Sequence, residues 1–296
     1  RRRIMSGKAG FSSEQPDNPT HGHAIPDGIS TAFSWLTVLP FRGSRVFDRT
    51  TGRRAMLAMP LVGVFHGLVA GYVFTLTWLL QVNFGHNLDL WVVAFVIVAL
   101  WEFGTRLMHL DGLSDVADAL GSYAPPPKAR AILSDTNAGP MGVAAVVFSV
   151  AAQIIGVHAI MQGAGSTSLS DAGSSTTSDF PPSTVIGLIL VPTVARISAL
   201  ILCTEGYRPA NPSGFGALVI GTVPKLGTAA WVIGAAIAAF VGGGILWTLM
   251  ALAVIALAIP WARHCSRRFD GLAGDCLGAT IELATAATVV LFSLTS

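Results

Sequence analysis

Apolar and polar stretches alternate along this chain on a scale of about 20 residues, the length of a membrane crossing at about 1.5 Å of rise per residue. Seven long apolar stretches stand out, at 55–82, 90–108, 139–162, 184–203, 227–242, 244–262 and 277–295, and each predicts a transmembrane helix. The fifth and sixth come from one run divided at Gly242-Gly243-Gly244, where a single tilted helix would reduce the count to six. A shorter stretch, ISTAFSWLTVLPF over 29–41, is too short to cross and predicts an interfacial or part-way element. Residues 1–28 are polar, with His21 and His23 among Ser, Pro and Arg, and read as a disordered tail. No apolar run follows the first arginines closely enough for a secretory signal peptide. Gly63, Gly67 and Gly71 recur every four residues, a small-residue stripe that lets another helix approach. The expected fold is all-α: a polytopic membrane helix bundle of about seven spans, in one domain over 29–296.

Composition strengthens this reading. Of 296 residues, 52% are hydrophobic and 11% charged, against about 25% charged in soluble domains. So few charges exclude a solvated globule, a disordered chain and a nucleic-acid binder, and leave the lipid bilayer as the surroundings. Three cysteines without a CxxC pair give neither a disulfide framework nor a zinc site. The charges alternate by loop. Nine of the 18 Lys and Arg residues precede the first span. The loops at 83–89 and 163–183 and the glycine hinge have none, while 106–138, 204–226 and 263–276 are basic. The positive-inside rule then predicts a cytoplasmic N-terminus.

The acids lie on the same side. The segment 105–142 holds Asp111, Asp115, Asp118 and Asp135 beside Arg106, His109, Lys128 and Arg130. Asp111, Asp115 and Asp118 are spaced i, i+4, i+7 and share one helical stripe. Unpaired carboxylates near a bilayer repel one another and need neutralising, and Mg²⁺ does this while keeping positions for water and phosphate oxygens. Gly139 and Gly142 open the third span, where exposed amides favour an anion. A second polar concentration at 263–283 puts Asp275 and Glu282 seven residues apart, on one helical face. Arg196, inside the fourth span, either contacts substrate or pairs with Glu282 or Glu102. His66 and His158, alone in their spans, read as packing or hydrogen-bonding groups.

Four motifs in order resemble one family. HLDGLSDVADALG (109–121) resembles the signature of the cobalamin (5′-phosphate) synthases, also called adenosylcobinamide-GDP ribazoletransferases. ARAILSDTNAGPMGV (129–143), GLAGDCLGATIEL (271–283) and FSWLTVLPF (33–41) extend the likeness, although Ser134 stands where the family pattern has Lys and Cys276 where it has Thr. The resemblance implies a membrane transferase with a cytoplasmic active site, joining adenosylcobinamide-GDP to α-ribazole or its 5′-phosphate and releasing GMP. It implies Mg²⁺ held on the diphosphate by Asp111 and Asp115, with Asp135 completing or flanking the site. Asp118 is then the expected base for the ribose 3′-hydroxyl, with His109 the alternative. Arg130 and Lys128 are expected near the leaving GMP, and Asp275 and Glu282 at a second metal or the ribazole hydroxyls. Other cobalamin-assembly enzymes, or a second copy of the chain, are the partners it allows.

Two other enzyme classes share part of the pattern. CDP-alcohol phosphotransferases begin with Asp-Gly, but their Asp-Gly-x-x-Ala-Arg is not met. Prenyltransferases use a comparable DxxxD, matched by Asp111 and Asp115. A transporter would place its acids near the midplane and show repeated halves, neither of which is seen.

Overall fold

The computed structural model describes residues 21–86, 88–135, 137–166 and 180–295. Among the described residues there are ten helices and, apart from isolated bridges, no strands. They are α1 (Ala24–Leu36), α2 (Arg49–Phe84), α3 (Leu90–Gly104), α4 (Met108–Gly121), α5 (Pro126–Ile132), α6 (Pro140–Ser166), α7 (Pro182–Cys203), α8 (Phe215–Val219), α9 (Lys225–Arg268) and α10 (Gly274–Ser293).

The seven apolar stretches map in order onto α2, α3, α6, α7, the two arms of α9, and α10. Five helices, α2, α6, α7, α9 and α10, are long and apolar enough to cross a membrane, and α3 with α4 forms a bent sixth candidate. The 44 residues of α9 are not one rod. Gly244 takes φ 66, ψ −156, open only to glycine, and Gly243 is also non-helical. Thr248 Oγ1 donates to the Ala236 carbonyl across 3.4 Å, whereas twelve residues of continuous helix would separate them by about 18 Å. The glycines therefore fold α9 into a hairpin of two crossings.

α7 is buried on nearly every side and forms the centre of the bundle, between α2, α9 and α10. The glycine stripe of α2 receives it. A Cβ on Gly63 would lie 2.5 Å from the Pro192 carbonyl oxygen, and one on Gly67 would meet the Ile189 backbone. Only glycine permits that approach.

Hydrogen bonds tie alternate helix ends together. Val38 N–H donates to the Gly104 carbonyl at 2.9 Å, Arg106 to the Trp35 carbonyl at 2.7 Å, and Arg49 to the Ile220 carbonyl at 2.9 Å. Arg130 reaches the Phe269 carbonyl at 3.1 Å. The loops before α2, after α3, between α7 and α9 and before α10 thus share one end, carrying the basic residues. At the other end Trp247 Nε1 donates to Thr295 Oγ1 at 2.8 Å, and Trp91 stacks on His158 at 3.7 Å.

Two boundaries differ from expectation. The polar tail was expected to extend to residue 28, but α1 begins at Ala24. Pro26 is tolerated there because first-turn amides have no helical acceptor to lose; residues 1–20 lie outside the described residues. The second apolar stretch does not run straight to 108. α3 stops at Gly104, Arg106 and Leu107 take positive φ (59 and 60), and α4 turns away by 84°. At that angle α4 forms the bent second half of the sixth candidate segment, a broken span or a re-entrant turn. The Trp35 and Val38 contacts from the segment after α1 hold that corner.

Candidate active site

α4 buries Gly112, Leu113, Val116 and Ala119 and turns its acids outward: Asp111 is exposed, Asp115 and Asp118 partly so. Glycines decide what lies beside them. A Cβ on Gly112 would sit 2.8 Å from the Asp275 carbonyl oxygen, and one on Gly278 would sit 3.1 Å from His109 Cα. α4 and α10 therefore touch backbone to backbone, which sets Asp275 beside the stripe on α4. Burial, then the neighbouring carboxylates of Asp111, Asp275, Asp118 and Asp135, push the Asp115 carboxyl up to about 6. Five acids from α4, α10 and the loop before α6 thus share one field.

Asp118 reaches across to the start of α6. Its Oδ2 accepts the Gly139 N–H at 2.6 Å and its Oδ1 accepts the Gly142 N–H at 2.9 Å. Both oxygens are committed to the first amides of α6, with the helix dipole favouring the charge. Asp118 clamps α4 to α6 through both oxygens, and this corrects one expectation: the amides of Gly139 and Gly142 are filled by Asp118 rather than left for a phosphate. Side chains at Gly139 or Gly142 would collide with Asp118, and at Gly142 with Ser114 as well.

Asp135 is exposed, and its Oδ1 accepts from Asn137 N and Nδ2 at 3.0 and 2.9 Å. Arg130 on α5 points at the turn after α9, with Asp270 at 3.7 Å, an acid that Arg208 also pairs with. Lys128 is exposed on the same short helix. His109 is 5% exposed and stands in the field of Arg196 and His66 rather than in the stripe. Arg196 and Glu282, expected at the substrate, are 3% and 2% exposed inside the bundle. Burial among helices sets them apart from the acidic stripe, and Arg196 lies in the field of Glu282 and Glu102 while its Nη1 donates to the Pro192 carbonyl at 3.4 Å.

Among the described residues no group of three or more His, Cys, Asp or Glu side chains is already arranged around a metal position. Mg²⁺ needs less, since it is held by one or two carboxylates and completes its shell with water and phosphate. Asp111 and Asp115 fit that ion: they are hard oxygen donors in mutual repulsion, one turn apart on α4. Sequence reasoning missed the pinning glycines Gly112 and Gly278, although Gly274-x-x-x-Gly278 was a visible close-approach signal. It also missed Gln153, a lone amide in an apolar helix with nothing to mark it.

These features define a multi-pass α-helical membrane protein with an acidic, glycine-pinned site across one end of the bundle. The family model described as cobalamin-5-phosphate synthase matches residues 28–293, and the chain belongs to that family. It is 37% identical over 294 residues to the adenosylcobinamide-GDP ribazoletransferase of Corynebacterium efficiens, covering 97% of this chain and 96% of the relative. The protein of that name from Corynebacterium diphtheriae is 37% identical over 300 residues, covering 98% of each. The one from Pseudomonas paraeruginosa is 32% identical over 273 residues, covering 90% of this chain and 97% of the relative. No solved structure matches the chain.

Proposed function

We propose that this chain joins adenosylcobinamide-GDP to α-ribazole or its 5′-phosphate, releasing GMP, as the last assembly step of cobalamin. The observation that carries the reading is the acid cluster of Asp111, Asp115 and Asp275 on two helices pressed together by Gly112 and Gly278. A diphosphate substrate requires such neutralising chemistry, and the names of the relatives supply the substrate class.

Asp111 and Asp115, one turn apart on α4, are the carboxylates that hold Mg²⁺, with Asp135 flanking. The ion supplies charge neutralisation for a diphosphate and a fixed position for its oxygens. The chain supplies the rest. The Asp118 clamp fixes α4 against α6, and the glycine contact fixes α4 against α10. Asp275 then takes the proton from the ribose 3′-hydroxyl as that oxygen attacks the phosphorus bearing the cobinamide arm. The bond to the GMP phosphate breaks, and GMP leaves carrying the electron pair. Asp275 is chosen because it lies beside the α4 stripe on a different helix, while Asp118 holds α6 and Asp111 and Asp115 share one helix turn and one ion. Arg130, and Lys128 on the same helix, lie between Asp118 and Asp135 in the chain and offset the charge of departing GMP. The basic loops sharing this end support a cytoplasmic active site in the bacterial inner membrane.

Asp111→Asn and Asp115→Asn test the assignment. Each is expected to abolish GMP release and weaken Mg²⁺ binding in a protein that still inserts and folds. Near-normal turnover in either variant removes the metal assignment. Asp275→Asn is expected to lose turnover while keeping Mg²⁺ affinity within about threefold, less than half a decade; normal turnover removes its role as base.

A further inference from the structure

Beside the acids lies a group of aromatic rings that the transfer chemistry above does not use. Trp35, in the last turn of α1, stacks on Phe47 of the loop before α2, with ring centroids 6.1 Å apart and planes inclined by 13°. Phe215, the first residue of α8, meets the Trp35 ring edge-on, at 5.7 Å and 74°. Three segments far apart in the chain thus pool one ring each. Trp35 is half-buried, whereas Phe215 remains 38% exposed and keeps part of its ring open.

Glycines fix where this cluster sits. A Cβ on Gly216 would lie 3.2 Å from the Gly274 amide nitrogen, and one on Gly274 would lie 3.4 Å from Phe215 Cδ1. α8 therefore begins against the start of α10, and the Phe215 ring lies against the residue that precedes Asp275. The Trp35 carbonyl also holds Arg106 at the corner before α4, so the rings and the acid stripe share one frame. Asp275 thus has both the α4 acids and an aromatic ring as near neighbours.

The chemistry of the acceptor selects the occupant. On the reaction proposed above, on which this inference rests, Asp275 holds the ribose 3′-hydroxyl of the nucleoside acceptor. One sugar ring separates that hydroxyl from a base that is flat, heteroaromatic and uncharged. Aromatic side chains hold such rings by stacking, because every base has a π-face. Guanine is the competing occupant. It stays attached to the leaving phosphate, whose charge Arg130 and Lys128 offset, whereas the acceptor's base follows the attacking hydroxyl to Asp275.

We propose that the base of the nucleoside acceptor stacks on Phe215, whose ring is held in place by Trp35 and, behind it, Phe47. The acceptor site is then built by α1, α8 and the loop before α2, outside the helices that carry the acids. Phe215 sets the base, and the base sets the ribose against Asp275.

Steady-state kinetics of the full chain in detergent make the test. GMP release is measured with α-ribazole varied at saturating adenosylcobinamide-GDP, and then the reverse. Phe215→Leu keeps apolar bulk and removes the flat face. It is expected to raise the KM for α-ribazole by about tenfold, the scale of one lost stacking contact, and to leave that for adenosylcobinamide-GDP within about twofold. Phe215→Tyr restores the face and should bring the α-ribazole KM to within about threefold of wild type. Calorimetric titration of α-ribazole into Asp111→Asn gives a readout that needs no turnover, and adding Phe215→Leu should weaken that binding by the same factor. An unchanged α-ribazole KM in Phe215→Leu overturns the site and leaves the rings as packing or lipid anchors. A rise for adenosylcobinamide-GDP alone, or for both substrates equally, overturns it too, as does Phe215→Tyr behaving like Phe215→Leu. Wild type releasing no GMP from this pair would instead sink the reaction proposed above, and the site with it.

Discussion

Replacing Asp118 by Asn separates a clamp from a catalytic base, because the two roles predict opposite pairs of results. In the native chain the carboxylate accepts two amide hydrogens, from Gly139 at 2.6 Å and Gly142 at 2.9 Å. Hydrogen bonds to a charged group are each worth about 1.5–3 kcal/mol net, and the charge also sits at a helix N-terminus, for about 0.3–1 kcal/mol more. Asn keeps one acceptor. Its amide nitrogen would face the N–H of one glycine, leaving that bond broken and its donor without a partner. The surviving bond loses its charge assistance. The sum is a destabilisation of about 2–4 kcal/mol, within the range for breaking a buried hydrogen-bond network. The assay is thermal unfolding of the detergent-solubilised protein, paired with GMP release per folded molecule. The clamp predicts a lowered melting temperature, with turnover per folded molecule reduced far less than in Asp111→Asn. A variant that melts like wild type and has no turnover would refute the clamp and restore Asp118 as the base.

The glycine contacts give a graded pair: Gly112→Ala meets the Asp275 carbonyl at 2.8 Å, while Gly278→Ala meets His109 at 3.1 Å. Turnover should fall more steeply in Gly112→Ala, and the reverse order would contradict the α4–α10 geometry. Because burial and neighbouring acids raise the Asp115 carboxyl to about 6, protons compete with Mg²⁺ there. Metal affinity measured by titration calorimetry should drop as pH falls through about 6, and a flat profile from about pH 8 to pH 5 would contradict this. In Gly67→Ala the new methyl would collide with the Ile189 backbone, at a cost of about 1–3 kcal/mol for overpacking. The expected result is less folded protein with normal turnover per folded molecule, and unchanged recovery would refute the α2–α7 contact.

What could be read from the chain, and what could not, follows from the range of the forces involved. The crossings were legible because the bilayer imposes a length on every apolar stretch, and the α9 hairpin because three successive glycines mark it. The break between α3 and α4 was not, since Arg106 and Leu107 take positive φ without a glycine and are held by backbone contacts from the segment around Trp35. The Asp111, Asp115 and Asp118 stripe was visible as a spacing, but spacing says only that side chains share a face. Which of them stays free depends on the amides of Gly139 and Gly142, 21 and 24 residues away from Asp118. Arg196 was equally open to a substrate or a structural reading, and Glu282 was read toward the substrate, because depth in the bundle is a property of six helices together.

The central claim is that the acid cluster at this end of the bundle serves transfer onto a diphosphate-activated cobinamide. Its most direct test is to incubate membranes containing the chain with adenosylcobinamide-GDP, α-ribazole and Mg²⁺, and to quantify GMP and the corrinoid product together. The account predicts GMP and cobalamin in equal amounts, lost on chelation and restored by Mg²⁺. GMP without a cobalamin product, or turnover unaffected by chelation, would contradict it.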